Sequence, residues 1–412
     1  MRATIVRVCR NSYLAAFVMR GIMTTLPGPT VGVIGGGQLG RMLGEAAAPL
    51  GVDLIVLDPT ESPPARATTT GQIAGGFGDR EAVMELASQV DALTYEIELA
   101  DPDLLAEAAK KFDIPVHPDP ATLRTIQDKL IQTEALADAG IPIPEFVGVD
   151  TEESLSEAVE ELRAVMLKAR TGGYDGRGNI PVDSPADAAD ALRTVGGNAL
   201  AEAFVPYERE VSVIGVKGAD TVRTYPVTET IHREQILRES LTPARASPAV
   251  RDKAQSVAVD VLETLEGRGV YGIELFETAA GQILVNEIAP RPHNSGHWTI
   301  EGAVTSQFEN HLRAVLGWPL GPTDLVAPTA TANLLGDTPD RQSQVQTNPV
   351  DTVLADSETS LHWYGKREVY PLRKMGHITV TDRQADAGGR DTSMDPLEKA
   401  RELRDQVTFT AE

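Results

Sequence analysis

Thr30-Val31-Gly32-Val33-Ile34 runs straight into Gly35-Gly36-Gly37-Gln38-Leu39-Gly40, then into a helical pattern from Arg41 to Leu50 and a second apolar run from Val52 to Asp58. A strand, a glycine turn, a helix and a strand in that order leave few options. They make a βαβ unit, with the two strands parallel in one sheet and the helix as the crossover between them. Glu81 to Val90 continues the alternation as a helix and Ala92 to Glu96 as another strand. The chain therefore opens with a doubly wound α/β domain that ends near Pro118-Asp119-Pro120. The glycines let the backbone approach a phosphate at a helix N-terminus, where unpaired N–H groups favour an anion. The same residues also suit a tight turn that packs helix on sheet, and both readings stand at this point. A nicotinamide cofactor would use Asp58 at the end of the second strand, but Pro59 follows it and the rest of the chain does not look like a dehydrogenase.

Beyond this domain a helix is expected over 121–139, closed by Gly140 and the turn Ile141-Pro142-Ile143-Pro144. A mixed α/β pattern follows to about residue 215 around an unusual glycine loop. An amphipathic helix runs from Val250 to Glu266, and two strands, Gly269–Glu277 and Gln282–Ala289, meet at a turn. After a proline-rich connector (Gly321-Pro322-Thr323, Ala327-Pro328) a small β-rich unit extends to about Thr381, and Asp395–Val407 forms a terminal helix.

Composition narrows the class. The 412 residues carry 37 Lys and Arg against 60 Asp and Glu, a formal net charge of −23. That balance disfavours a nucleic-acid binder, whose affinity comes from neutralising phosphates, and leaves room for one local basic pocket. Cys9 alone makes neither an internal disulfide nor a thiolate metal cage, and no apolar run reaches the roughly 18 residues of a membrane span. The reading is a soluble cytoplasmic protein that handles something small, with no nucleic acid and no membrane as partner. Arginine outnumbers lysine 28 to 9. Scarce lysine with abundant carboxylates points to adaptation to high salt, which screens carboxylate repulsion. Residues 1–27 stand apart as an N-terminal extension, with Arg2, Arg7, Arg10 and Arg20 and no acid; a native start at Met23 would explain them.

Four further stretches carry chemistry. Ala164–Ala169 alternates as a strand, which puts Lys168 and Arg170 on one face ahead of Thr171-Gly172-Gly173-Tyr174-Asp175-Gly176-Arg177-Gly178-Asn179. No G-K-[ST] follows, so this is not a Walker loop; cations at a strand end beside a glycine lid suit a triphosphate that must be shielded from water. Glu274 and Glu287 come next. A hairpin turning at Ala280-Gly281 sets them directly opposite each other, an unfavourable pairing of like charges unless a divalent cation such as Mg²⁺ lies between them. Phe276 and Val285 are expected on the same face. In Ala289-Pro290-Arg291-Pro292-His293-Asn294-Ser295-Gly296-His297 the prolines argue against a zinc-binding helix, and Arg291 suits a doubly bonded oxyanion; His297 alone also reads as a hydrogen-bonded core histidine. Finally, Tyr364-Gly365-Lys366 and Arg373-Lys374-Met375-Gly376-His377 form a cationic cluster suited to a phosphate monoester, or simply a solvated patch.

Taken together, Gly35–Met42, Thr94-Tyr95-Glu96-Ile97-Glu98, Gly173–Asn179, Asn286–His297 and Lys374–His377 resemble the N5-carboxyaminoimidazole ribonucleotide synthetases of the ATP-grasp superfamily. The resemblance runs from about Pro27 to Thr381 and is most specific over Asn286–His297. It implies an α/β ATP-grasp enzyme with a Rossmann-like pre-ATP-grasp domain (28–120), an ATP-grasp domain (121–320), a small C-terminal β-rich domain (321–382) and a tail with a helix (383–412). By the same resemblance ATP would lie against Lys129, Lys168, Gly173, Tyr174, Asp175, Gly176, Arg177, Gly178, Asn179, Glu202, Ala203, Phe204, Val205, Glu210, His232, Asn286 and Glu287. Mg²⁺ would sit on Glu274 and Glu287. Aminoimidazole ribonucleotide would lie near Gly37, Gln38, Leu39, Glu96, Lys366, Arg373 and Lys374, and bicarbonate near Arg291 and His293. Lys129, Thr133 and Tyr370 depart from the family's usual Arg, Lys and Arg.

The implied chemistry is carboxylation through carboxyphosphate, with Asp175 taking the amine proton, Arg177 orienting the pair and ADP as a product. A formate-using transformylase or an amino-acid ligase shares the nucleotide site and differs in acceptor. An oxidoreductase rests on Gly35–Gly40 alone, and a nucleotide sensor without chemistry fits the facing glutamates and Asp175 poorly. The family's dimer is expected, with Ser306–His311 opening a semi-apolar helix that pairs subunits.

Overall fold

The computed structural model describes residues 27–172, 178–342, 345–347, 350–383 and 395–411. The first unit holds β1 (Thr30–Ile34), α1 (Gln38–Ala47), β2 (Asp53–Asp58), β3 (Gly71–Ala74), α2 (Arg80–Ala87), β4 (Ala92–Tyr95) and α3 (Pro102–Phe112). Its four parallel strands are ordered β3-β2-β1-β4. Val31, Val33, Leu54 and Val56 bury against α1 on one face, and Ile34, Leu57 and Leu93 against α2 and α3 on the other. Strands covered on both faces must be apolar throughout, and β1, β2 and β4 read that way.

The connector is not the single helix expected over 121–139. It is two, α4 (Pro120–Gln127) and α5 (Lys129–Asp138), broken at Asp128, whose backbone is extended at φ −105° and ψ 108°. The Asp128 carboxylate accepts from the backbone N–H groups of Leu130 and Ile131, which makes it the N-cap of α5. A second layer follows with β5 (Phe146–Val149), α6 (Glu152–Leu162), β6 (Val165–Ala169), β7 (Asn179–Val182), α7 (Ala188–Thr194) and β8 (Ala199–Ala203). Its antiparallel sheet has the order β5-β8-β6-β7, and α6 and α7 cover one face.

The largest sheet collects β9 (Tyr207–Lys217), β10 (Val222–Thr224), β11 (Thr228–Arg233), β12 (Ile236–Thr242), then after α8 (Pro248–Thr264) β13 (Gly269–Thr278) and β14 (Ile283–Ala289). Two short helices, α9 (Thr299–Gly302) and α10 (Gln307–Val315), lead to β15 (Thr329–Leu335). Next come β16 (Val345–Thr347), α11 (Asp351–Ala355), β17 (Thr359–Trp363), β18 (Lys374–Thr381), α12 (Pro396–Asp405) and β19 (Phe409–Ala411). The main path is β14-β13-β9-β11-β12-β15-β18-β17, with β10 on β9. The C-terminal β unit is thus continuous with the ATP-grasp sheet through β12 and β15, not a separate layer. The terminal helix α12 is part of it: Leu397, Ala400 and Leu403 bury against this sheet, and Arg401 and Arg404 reach the fully buried Glu239 of β12. No helix among the described residues is long and apolar enough to cross a membrane.

Candidate active site

The glycine turn is shaped by a carboxylate. Glu96, just past the end of β4, accepts the Gly37 N–H at 2.5 Å on Oε1. A Cβ on Gly37 would lie 2.8 Å from that oxygen, and Gly35, at φ +106°, would place one 2.6 Å from Glu96 Cγ. Both positions are glycine because Glu96 lies over them. Asp58 is spent locally as well, accepting from Gly36 N–H at 2.9 Å and Thr60 N–H at 2.8 Å. The acid that a nicotinamide ribose would need is therefore a turn cap. Burial raises the Glu96 pKa to about 7, against the pull of the Gly37 N–H and the charge of Arg291.

Glu274 and Glu287 are register partners on β13 and β14. The route to that pairing differs from the sequence argument. Near the turn the register is Glu277 with Ile283, Phe276 with Leu284 and Leu275 with Val285; it shifts by one residue before Glu274. Asn286 supplies the extra residue of this β-bulge, and a bulge re-aims the side chains around it. Val285 consequently joins the hydrophobic core with Leu275 and Ile283, not the face of Glu274 and Phe276 as expected.

Cations gather on the two carboxylates. Lys129 Nζ, at the first position of α5, donates to Glu287 Oε1 at 2.6 Å, and its charge holds the Glu287 pKa down to about 2. Burial, with Glu287 and Glu210 as like charges, raises Glu274. His293 Nε2 lies 3.6 Å from Glu274 Oε1; burial and the charges of Arg291 and Lys374 bring its pKa to about 3, so it is neutral at pH 7. The β11–β12 ladder is bulged at Arg238 of β12, opposite Ile231 and His232, and the His232 ring meets the Glu210 carboxylate of β9. Burial opposes a charge on His232, but the Glu210 hydrogen bond and the charges of Glu274 and Glu210 together outweigh it and the pKa is raised.

Lys168 on β6 is buried, 2.6 Å from Glu202 Oε2 on β8 and 3.1 Å from Asn286 Oδ1. It thereby ties the second layer to the bulge of the large sheet. Arg291 pairs with Glu98 at 2.8 Å. Lys366 donates to Gln38 Oε1 at 2.9 Å and to the Lys374 carbonyl at 2.6 Å, joining the C-terminal unit to the glycine turn. Arg373 bonds the Glu368 carbonyl at 2.7 Å and stacks on Tyr370, 4.9 Å from its ring centroid, with Arg341 on the same ring at 5.1 Å.

These groups surround one cleft of about 480 Å³ between the three units. Gly37, Gln38, Leu39, Glu96, Lys129, His232, Glu274, Glu287, Arg291, His293 and Lys374 all line it. Lys168, Gly178, Asn179, Glu202, Ala203, Phe204, Val205, Glu210, Asn286, Lys366 and Arg373 are not among the residues that line it. Gly173, Tyr174, Asp175, Gly176 and Arg177 lie outside the described residues. His297 is fully buried and stacks on His377 at 4.8 Å, so it is a core residue, though neither ring nitrogen has a hydrogen-bond partner among the described residues. The departure at Thr133 is local: its hydroxyl donates to the Lys129 carbonyl at 2.7 Å.

Sequence reasoning gave no role to Phe77, Glu98, Gln235, Ile236 and Leu237, which also line the cleft, as does Arg170, expected with Lys168 as a cation facing a triphosphate. Glu98 and Arg170 stand inside motifs already picked out. The hairpin tip is signalled only by its backbone, since Glu234 and Gln235 both adopt positive φ in the tight β11–β12 turn. The two glutamates offer only oxygen ligands, the set that Mg²⁺ takes together with substrate phosphates. Among the described residues no group of three or more His, Cys, Asp or Glu could hold a metal ion.

Family models match all three units: ribonucleotide synthetase preATP-grasp domain over 29–127, ATP-grasp domain over 134–308, and phosphoribosylaminoimidazole carboxylase C-terminal domain over 329–390. The chain is 42% identical to a phosphoribosylaminoimidazole carboxylase of Schizosaccharomyces pombe over 85% of its own length, but spans only 64% of that longer protein. It is 38% identical to N5-carboxyaminoimidazole ribonucleotide synthase of Bacillus subtilis, covering 87% of this chain and 93% of the relative. The crystal structure of N5-carboxyaminoimidazole synthase from Aspergillus clavatus, solved with ADP and 5-aminoimidazole ribonucleotide, superposes with a TM-score of 0.79 at 35% identity, over 91% of this chain and 96% of that one. With its three units matched in order and its cleft built from their junction, this chain belongs to the N5-carboxyaminoimidazole ribonucleotide synthase family.

Proposed function

We propose that this protein carboxylates 5-aminoimidazole ribonucleotide on its exocyclic amine, using ATP and bicarbonate and releasing ADP and phosphate, in purine synthesis. The observation that carries this reading is the single cleft in which the Lys129–Glu287–Glu274 group and the Glu96–Arg291–His293 group share one wall. The first suits a nucleotide triphosphate; the second suits a small oxyanion and an amine. Mg²⁺, held by Glu274 and Glu287, would neutralise phosphate charge.

Bicarbonate oxygen attacks the γ-phosphorus and ADP leaves, giving carboxyphosphate. Arg291, fixed by Glu98 and flanked by prolines, holds the bicarbonate oxygens. Neutral His293 accepts or donates one hydrogen bond without adding charge. The amine then attacks the carboxyl carbon, or CO₂ released from it; phosphate departs and the amine gives up a proton. Asp175 takes that proton, and Arg177 orients the reacting pair. The protein acts as a cytoplasmic homodimer, and its acidic, lysine-poor surface is an adaptation to high salt.

The test is ADP release by the purified protein with each acceptor in turn. Release that requires both aminoimidazole ribonucleotide and bicarbonate is expected. Release with formate and glycinamide ribonucleotide, or with an amino acid, would replace this reading with another ATP-grasp ligase. Asp175→Asn is expected to keep ADP affinity while losing ribonucleotide-dependent turnover.

A further inference from the structure

Glu287 already carries a cation. The Lys129 ammonium donates to its Oε1 at 2.6 Å, on the cleft side of the hairpin that brings Glu287 opposite Glu274. The lysine is launched from a fixed point. Its own N–H donates to the Arg170 carbonyl at 2.8 Å, and Asp128 before it caps α5 while receiving the Arg170 guanidinium on both carboxylate oxygens. Its side chain is 22% exposed and that of Glu287 50%, so the pair sits at the cleft wall within reach of solvent and ligand.

We infer that Lys129 is a resident counter-cation that competes with a divalent metal for Glu287, so that the metal binds tightly only when nucleotide phosphates draw the ammonium away. This rests on the reading of Glu274 and Glu287 as metal ligands. The physical reason is charge. A lone facing pair of carboxylates is costly, and Lys129 relieves that cost on one of them before any ligand arrives. The same ammonium repels an incoming dication on that carboxylate. A lysine suits the exchange, because its compact charge on a flexible stem can move from carboxylate to phosphate without a fixed bidentate geometry. Metal and nucleotide binding then become coupled through one side chain.

Mn²⁺ binding to the full chain, measured by electron paramagnetic resonance with and without ADP, tests this. Without nucleotide, Lys129→Met and Lys129→Gln are expected to bind Mn²⁺ about fivefold more tightly than the parent, with Lys129→Arg close to the parent. ADP is expected to tighten Mn²⁺ binding less in the Met and Gln variants than in the parent. Equal nucleotide-free affinity in all four proteins, with Mn²⁺ still bound in the presence of ADP, would overturn the competition and leave the metal site standing. No Mn²⁺ bound even with ADP would overturn the metal reading, and the competition with it.

Discussion

Glu274 and Glu287 stand opposite one another only because Asn286 is the extra residue in β14. The bulge does two jobs with one insertion. It brings Glu287 into register with Glu274 in the cleft, and it presents Asn286 Oδ1 to the buried Lys168 of a different sheet. The small antiparallel sheet and the large one are therefore linked at the hairpin of the two acids itself, where a small displacement of one strand would move both contacts.

Glu96 carries a pH dependence with a defined sign. Its pKa is about 7 in the fold against 4.5 for a free carboxyl. The folded protein keeps a proton that the unfolded chain releases, so this stabilisation is whole below about pH 4.5 and is lost as pH rises through about 7. Glu96→Gln, which can still accept the Gly37 N–H, is expected to remove that slope and to be more stable than the parent at pH 8 by an amount on the order of 2 kcal/mol. Urea unfolding of both proteins from pH 5 to pH 8, in steps of about one unit, reads the difference directly.

Asp128 separates two roles that substitution can pull apart. As N-cap it serves Leu130 and Ile131; as an anion it holds Arg170 on both oxygens. Asp128→Asn retains the cap and is expected to cost under about 1 kcal/mol, whereas Asp128→Ala loses both and is expected to cost about 2 kcal/mol. Both variants release Arg170 and are expected to weaken ADP binding. Denaturant midpoints and ADP titrations check the two halves.

Leu372 occupies a glycine's place. Tyr370 to Arg373 closes a turn through the Arg373 N–H to the Tyr370 carbonyl at 3.0 Å, with Pro371 second and Leu372 third at φ +65°. That third position needs a positive φ, which a leucine adopts at a cost. Leu372→Gly is expected to stabilise the protein by about 0.5–1 kcal/mol after the larger unfolded-state entropy of glycine is counted, read as a higher thermal midpoint.

The net charge of −23 predicts a salt response. Raising KCl from about 0.1 M to about 2 M shortens the screening length and weakens self-repulsion among surface carboxylates. The thermal midpoint is expected to rise across that range. A flat or falling midpoint would remove salt adaptation from the reading.

Much of the site was legible because its parts are short and local. The glycine turn, the cationic strand before the glycine loop and the Arg291 segment are each contiguous, and their spacing betrays their chemistry. The break between α4 and α5 was not, because an aspartate inside a helical pattern looks the same whether it caps a helix or points to solvent. Here the deciding partner is Arg170, 42 residues later. The continuous sheet was hidden for a similar reason: β12 and β15 are separated by nearly ninety residues, and nothing in either strand names its neighbour.

Residue order alone determined the parallel first unit, the β13–β14 strand pair and the family to which the chain belongs, since hydrophobic period and motif spacing act over a few residues. Tertiary structure alone decided which cation rests on which acid. Lys129 meets Glu287 and Lys168 meets Glu202 and Asn286 because separate sheets close on one another. Coulomb attraction depends on distance through space, and distance along the chain says little about it.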